Sequence, residues 1–172
     1  MHQELLIPFV ESEAVSGLRR AERIWRKLNQ IREELNQLYA SAPAERPQVT
    51  SPQDAADLLL PFLSGLDHEE LWVVPLDTRN RVLKLHKLYQ GTLNASRVRV
   101  AEIFKVAILN NAAALIIAHN HPSGDPTPSP EDLQLTRDLK QAGSLLDIEV
   151  LDHLVIGNFG RWTSIKERIG IG

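Results

Sequence analysis

The sequence predicts an α/β protein in which a mixed sheet lies between helices, with a helical extension at the N-terminus. Apolar runs typical of buried strands alternate with longer segments of helical periodicity, and short loops containing Pro or Gly separate them. With 172 residues, 43% of them hydrophobic, the chain is long enough for one good core. We expect an N-terminal helical segment and linker at 1–50 and a main domain at 51–172.

Residues 14–40 predict a long amphipathic helix. Its apolar residues recur at spacings of three and four, the pattern of a helix seam: Ala21, Ile24, Leu28, Ile31, Leu35 and Leu38. The seam covers about two and a half heptads, which is short of the three to four that indicate a coiled coil. Packing on the main domain is therefore the first interpretation, and a homodimer through this helix is the second. The Pro-containing stretch 41–50 is typical of a linker.

The main domain is expected to begin with a helix at Ser51, because Ser is a good N-cap and Pro52 suits the first helical position. Short apolar runs bounded by turn residues predict the strands, and longer periodic segments predict the helices. Gly143 is expected to end the last long helix. The predicted order is helix 51–63, strand 71–77, strand 81–89, a third strand from Gly91, helix 100–110, an apolar strand ending near 118, helix 130–142, and strands 148–151 and 153–156.

A cluster of potential metal ligands follows the apolar run 112–118. His119 and His121 are two residues apart, and in a strand such residues point to the same side. After a loop rich in Pro, Ser129-Pro130-Glu131-Asp132 begins a helix, which places Asp132 in the first turn, where it can face the end of the strand. Two imidazoles and one carboxylate are the three protein ligands of many catalytic zinc sites, which leave a fourth position for water.

Each of these residues also has a purely structural interpretation. A single histidine is more often a surface or core residue than a ligand, Asp132 could simply favour a helix start, and Ser129 could be an N-cap. The combination favours the metal site, because packing gives no reason for a buried strand to end in two histidines on one face.

This stretch resembles the JAMM (MPN+) metalloprotease signature, His-x-His-Pro, five residues, Pro-Ser-x-x-Asp, and matches it without a gap. The longer string 118–126 resembles the RadC family, with further matches at Leu76-Asp77, 91–94 and 151–157. The resemblance covers 51–172 and implies the MPN, or cytidine-deaminase-like, α/β sandwich. RadC proteins usually begin with a small helical domain carrying a helix-hairpin-helix-like element, which is not recognisable in this sequence.

The resemblance implies that His119, His121 and Asp132 bind Zn²⁺ and that Ser129 donates a hydrogen bond to the developing oxyanion. Hydrogen bonds that orient the ligands are expected from Asp125 or from the Asp152-His153 pair.

The resemblance also implies a general base, a glutamate from an element earlier in the chain. Glu69 is the best match, at the start of the strand that ends in Leu-Asp. Only one of Glu69 and its neighbour Glu70 can face the metal, because side chains alternate along a strand. Glu102, on a predicted helix, is the third candidate.

Composition and charge exclude several classes of protein. The chain has no cysteine, so any metal must be held by nitrogen and oxygen, and disulfides are excluded. A net charge of −3 argues against a protein devoted to coating nucleic acid. No apolar run is long enough for a membrane span, the N-terminus lacks the features of a secretory signal, and a cytoplasmic location is expected.

Three functions remain open at this point. The first is a zinc hydrolase that cleaves a peptide or isopeptide-like amide in a peptide or protein substrate. The second is a metal-dependent DNA-processing or DNA-repair-associated protein, suggested by a segment with seven basic residues and one acid that could also be a solvated face: Arg79, Arg81, Lys84, Lys87, Arg97, Arg99, Lys105 and Glu102. The third is a non-catalytic MPN scaffold. No membrane partner is expected.

Overall fold

The computed structural model describes residues 13–41, 46–91 and 98–170 and divides into two compact units, 1–37 and 38–172. Most of α1 (Glu13–Ser41) lies in the first unit, in agreement with the predicted amphipathic helix. Several of its apolar side chains are 42–68% exposed: Leu18, Ile24, Trp25, Leu28 and Ile31. No helix in the described ranges is long and apolar enough to cross a membrane.

The second unit contains a five-stranded mixed sheet in the order β2-β1-β3-β4-β5. The β3 and β4 strands are parallel, and the other neighbours are antiparallel. This confirms the predicted mixed α/β fold. The elements in chain order are α2 (Pro52–Leu63), β1 (Glu70–Leu76), β2 (His86–Gln90), α3 (Val100–Leu109), β3 (Ala114–Asn120), α4 (Pro130–Leu146), β4 (Glu149–Ile156), β5 (Trp162–Ser164) and α5 (Ile165–Ile169).

Helices cover both faces of the central strand β3, which explains why its apolar run has no polar alternation. Leu115 and Ile117 belong to the core formed with α3 and α4. Ile116 points to the opposite face, where α2 packs and where Phe62 lies 5.3 Å from Trp72 between ring centroids. All seven residues of β3 are buried, so its last residues, which include His119, lie at the end of a rigid strand.

The α2 helix begins with a complete capping box, as Ser51 and Pro52 predict. The Ser51 hydroxyl accepts a hydrogen bond from the Asp54 N–H at 3.2 Å, and the Asp54 carboxylate accepts one from the Ser51 N–H at 2.9 Å. Thr50 adds its own N–H and hydroxyl to the same carboxylate oxygen, at 2.8 and 2.7 Å. These bonds satisfy donors that the start of a helix leaves without a partner.

Two predicted boundaries are wrong, one at the end of α4 and one within β4. The α4 helix passes through Gly143 and ends at Leu146, and its C-cap Asp147 has a left-handed φ of 56°. A Cβ atom on Gly143 would lie 2.5 Å from the Ile148 carbonyl oxygen, so glycine permits the close approach of the next segment there. The two short strands expected around residue 152 form a single strand with a bulge at Leu151.

The predicted strands near β2 are confirmed only in part. The chain at 81–82 forms isolated bridges, and the regular strand runs over His86–Gln90. The third strand, expected from Gly91, falls mainly on 92–97, outside the described residues.

Candidate metal centre

The end of β3 and the residue after it carry the two histidines. His119 pairs with Leu71 of β1 and is 3% exposed. His121 lies just beyond β3, but its N–H donates to the Ile156 carbonyl oxygen at 2.9 Å and so holds it against β4. The two imidazoles share one face of the sheet, as strand alternation predicts, with ring centroids 4.9 Å apart.

The first turn of α4 brings the carboxylate. Ser129 is the N-cap, and its N–H and hydroxyl both donate to Asp132 Oδ2, at 2.7 and 2.6 Å. The Asp132 N–H donates to the Ser129 hydroxyl oxygen at 3.2 Å, which completes a capping box. Asp132 Oδ1 faces His119, and Oδ2, which accepts the bonds from Ser129, is the oxygen nearer His121.

Three ligand atoms converge at this place. His119 Nε2 lies 3.1 Å from His121 Nε2 and 3.2 Å from Asp132 Oδ1, and His121 Nε2 lies 3.6 Å from Asp132 Oδ2. The group is half-buried and contains only nitrogen and oxygen ligands. His119, His121 and Asp132 together could therefore hold a metal ion.

A chain of hydrogen bonds determines where the proton of His119 lies. The Thr136 hydroxyl lies 2.7 Å from the Asp132 carbonyl oxygen, so its single proton must point there. His153 Nδ1, 2.7 Å from the same hydroxyl, must therefore donate to it. His153 is completely buried, which lowers its pKa well below 6.5 and keeps it neutral, so its Nε2 is an acceptor. His119 Nδ1, at 2.9 Å, donates to that Nε2, so in the neutral tautomer of His119 the lone pair is on Nε2, on the side of the cluster.

His121 is oriented by the backbone. Its Nδ1 lies 2.9 Å from the carbonyl oxygen of Asp125, which can only accept, so Nδ1 carries the proton and the lone pair of neutral His121 is on Nε2. The Asp125 carboxylate points elsewhere and accepts from the Thr127 N–H and hydroxyl, at 3.0 and 2.8 Å. The second ligand nitrogen therefore also faces Asp132.

The electrostatics of the cluster favour a cation among these three groups. Burial raises the pKa of Asp132, but the contacts with His119 and His121 outweigh it and hold that pKa far below its usual range. Asp132 raises the pKa of His121, burial opposes the rise, and the Asp125 carbonyl and the charge of Glu69 add to it. Two nitrogen lone pairs and a carboxylate repel one another unless a proton or a metal ion lies among them.

The three candidate glutamates lie in different places. Glu69 comes immediately before β1, is half-buried, and lies on the face of Leu71 and His119 if strand alternation continues by two residues. Glu70 points to the opposite face, where Trp72 Nε1 donates to its carboxylate at 2.8 Å. Glu102, in the first turn of α3, pairs with Arg99 at 3.6 Å.

Comparison with known proteins decides the family. A family model described as "RadC-like JAB domain" matches residues 49–171. The chain belongs to this RadC-like JAB family. A UPF0758 protein of Roseiflexus castenholzii (strain DSM 13941 / HLO8) is 56% identical over 131 residues, which are 76% of this chain and 56% of the relative.

Other RadC-like relatives give the same result. A UPF0758 protein of Chloroflexus aurantiacus (strain ATCC 29366 / DSM 635 / J-10-fl) is 55% identical over 135 residues, 78% of this chain and 58% of the relative. One of Shouchella clausii (strain KSM-K16) is 42% identical over 161 residues, 94% of this chain and 69% of the relative. The chain thus spans 56–58% of the length of the first two relatives.

The sequence predictions for this RadC-like site missed two residues and misjudged two. Thr136 was missed, although it lies one helical turn after Asp132 and so shares its face. Asn120 was missed because its side chain points away from the histidines. Asp125 contributes its carbonyl and not its carboxylate, and the Asp152 carboxylate accepts from the N–H of its neighbour at 2.7 Å without contacting a ligand.

Proposed function

We propose that this RadC-like protein is a zinc-dependent hydrolase that cleaves an amide bond in a peptide, isopeptide-like or protein substrate. The observation that carries the proposal is the convergence of His119 Nε2, His121 Nε2 and an Asp132 oxygen, with both lone pairs directed inward by their hydrogen bonds.

Zinc fits this donor set. In a tetrahedral site with bonds near 2.0 Å, two ligand atoms are about 3.3 Å apart. His119 Nε2 lies 3.1 Å from His121 Nε2 and 3.2 Å from Asp132 Oδ1, close to that separation. Three protein ligands would leave one position open, which is typical of catalytic zinc.

The remaining residues would move protons and stabilise charge. Bound zinc would act as a Lewis acid toward the scissile carbonyl and acidify a water molecule. Glu69 would accept a proton from the attacking water and deliver it to the nitrogen of the leaving amine, whose bond to the carbonyl carbon breaks. The half-buried position of Glu69 and its electrostatic effect on His121 support this role.

Ser129 would donate a hydrogen bond to the oxyanion that develops on the carbonyl oxygen. In the resting arrangement its hydroxyl proton is directed to Asp132 Oδ2, 2.6 Å away. Donation to substrate therefore requires a rotation about the Ser129 side chain. The Asp132 oxygen would keep the hydrogen bond from the Ser129 N–H during that rotation.

The alternatives have weaker support. A DNA-processing role would draw on the basic segment, but Lys87 forms an ion pair with the buried Glu70 at 3.0 Å and Arg99 pairs with Glu102. A non-catalytic scaffold would not need the hydrogen bonds that direct His119 and His121 toward Asp132. Nucleic acid as a partner is tested by the DNA-cleavage arm of the experiment described next.

The test compares wild-type protein with the Asp132→Ala variant after zinc loading. We expect the wild type to contain about one zinc ion per chain and to cleave internally quenched peptides or isopeptide-linked peptides. The Asp132→Ala variant should bind no zinc and cleave nothing. Cleavage of DNA but not of peptides would favour the second function, and a zinc-free wild type would contradict the proposal.

Three further predictions remain to be tested. The division into a helical segment at 1–50 and a RadC-like domain at 51–172 predicts that the latter folds when expressed alone. A homodimer through α1 predicts a dimeric mass that Leu28→Glu abolishes. The expected cytoplasmic location can be tested by cell fractionation.

A further inference from the structure

The backbone ladder between β1 and β3 ends next to the metal centre. Its last pair is Leu71 and His119, so Glu69 lies two residues beyond the end of this ladder. A catalytic base must be held to within a fraction of an ångström. The contacts that link the Glu69 segment to β3 beyond the last pair are therefore of interest.

The Asn120 side chain supplies two such contacts. It is 2% exposed, and its Oδ1 accepts from the Glu70 N–H at 2.7 Å while its Nδ2 donates to the His68 carbonyl oxygen at 2.8 Å. Only this orientation of the amide gives an acceptor to the N–H and a donor to the C=O. The carboxamide thus replaces the backbone peptide group that would form the next rung of the ladder.

The two bonds hold the peptide groups on either side of Glu69. The His68 carbonyl belongs to the peptide group before it, and the Glu70 N–H belongs to the one after it. On the other side, the Gly91 N–H donates to the Glu69 carbonyl oxygen at 2.9 Å. Together these bonds restrict both backbone torsions of Glu69.

Glu70 secures the same segment from the opposite face. Its buried carboxylate accepts from Trp72 Nε1 at 2.8 Å and Lys87 Nζ at 3.0 Å, and it contacts His68 Nε2 at 3.1 Å. Burial raises the pKa of Glu70, but these contacts outweigh it and keep the pKa below its usual value, so the group is charged at neutral pH. Glu70 is therefore an anchor, which leaves Glu69 to face the ligands.

We propose that Asn120 is a positioning residue that fixes Glu69 relative to the metal ligands. It lies between His119 and His121 in sequence, and its side-chain hydrogen bonds link the ligand strand to the segment that carries the base. Asp in its place would offer no donor to the His68 carbonyl, and Ala would offer neither bond. The proposal rests on the proposed function, because it takes Glu69 as the base.

The test is a double-mutant cycle on the zinc-loaded full chain with internally quenched peptides as the probe. Asn120→Ala and Glu69→Gln should each lower kcat by about 10²-fold with little change in KM. If Asn120 acts through Glu69, the double variant should be no slower than Glu69→Gln alone. Zinc affinity should stay close to that of the wild type, and Asn110→Ala, which removes an amide bonded only to Val106 at the end of α3, should have no effect.

A second readout does not need turnover. Hydrogen exchange of the Glu70 N–H, followed by NMR, should be faster in Asn120→Ala and Asn120→Asp than in the wild type, since its acceptor is removed or rearranged. In cobalt-substituted protein, Asn120→Ala should move the midpoint of the pH titration of the visible spectrum in the same direction as Glu69→Gln does.

These results separate the two proposals. Losses that multiply in the double variant, unchanged Glu70 exchange, or loss of zinc in Asn120→Ala would each overturn the positioning role. Absence of peptide cleavage by the zinc-loaded wild type would contradict the proposed function. In that case the exchange rate and the cobalt spectrum still decide the role of Asn120: both changed supports it, and either unchanged overturns it.

Discussion

Two helices of this protein begin with the same device, a Ser-Pro-x-Asp capping box, and one of them lies at the candidate metal centre. At α2, Ser51 and Asp54 exchange hydrogen bonds of 3.2 and 2.9 Å. At α4, Ser129 and Asp132 exchange the corresponding bonds at 3.2 and 2.7 Å. The local geometry is nearly the same in both.

The difference lies in the further partners of each carboxylate. Thr50 donates to the Asp54 carboxylate through its N–H and hydroxyl, so that box is satisfied by neutral donors. Asp132 faces the lone pairs of His119 and His121. Helix-start chemistry thus places a carboxylate reproducibly, and the neighbouring strand decides whether that carboxylate only caps the helix or also lies among potential metal ligands.

The largest expected effect is on zinc binding, and it should distinguish Asp132 from Asp54. Asp132→Ala should abolish zinc binding, because it removes one of three ligands, and Asp54→Ala should leave it unchanged. Competition with a chromophoric chelator measures the affinity, and circular dichroism checks that both variants fold. Equal loss of zinc in the two variants would mean that folding, and not ligation, explains the effect.

The next effect concerns the chain of hydrogen bonds that runs from Thr136 on α4 through His153 to His119. Thr136→Val should weaken zinc binding by about 10- to 100-fold, because His153 loses the acceptor that fixes its tautomer and, through it, that of His119. Thr136→Ser keeps the hydroxyl and is the matched control. ¹⁵N shifts of the His119 ring should show the altered tautomer, and an unchanged affinity in Thr136→Val would contradict the relay.

A smaller effect on zinc affinity follows from the protonation of His121, which competes with metal binding. The pKa of His121 is raised above 6.5, so this group is protonated below that raised value and must lose the proton before Nε2 can bind metal. Zinc affinity should therefore fall by about tenfold per pH unit as the pH drops below it. Chelator competition between about pH 5.5 and 8.5 tests this. Asp54→Ala should give the same profile, and a flat profile would refute the expectation.

The smallest effect is common to both boxes. Ser51→Ala and Ser129→Ala should each lower the free energy of unfolding of the metal-free protein by about 1 kcal/mol, because each removes an N-cap acceptor. Urea denaturation of the two variants measures the losses side by side. A cost at Ser129 several times that at Ser51 would show that the two boxes are not equivalent even without metal.

The features that local physics determines could be predicted from the sequence. Pro52 and Pro130 after serines gave the starts of α2 and α4, and the spacing of His119 and His121 placed both on one face. Contacts between distant segments could not be predicted. Glycine often follows the last residue of a helix, but Gly143 lies within α4. Its lack of a side chain there permits the close approach of Ile148.

The same division applies to the candidate site. Two histidines and an aspartate carry a spacing signal, whereas the carbonyl of Asp125 carries none, because every residue has one. Strand alternation could not choose between Glu69 and Glu70, since that choice depends on the register of β1 against β3, and only the family resemblance favoured Glu69. Local periodicity from Asp132 would have found Thr136.

The bulge at Leu151 affects which single-residue deletions β4 can accommodate. Val150 pairs with Leu115 and His153 with Ile117, so two residues three apart on β4 lie on the same face. Deleting Leu151 would restore strict alternation and leave Asp152 and His153 opposite their present partners, Ile116 and Ile117. Loss of this one codon would thus shorten the chain and still leave the neutral ring of His153 behind the ligand His119.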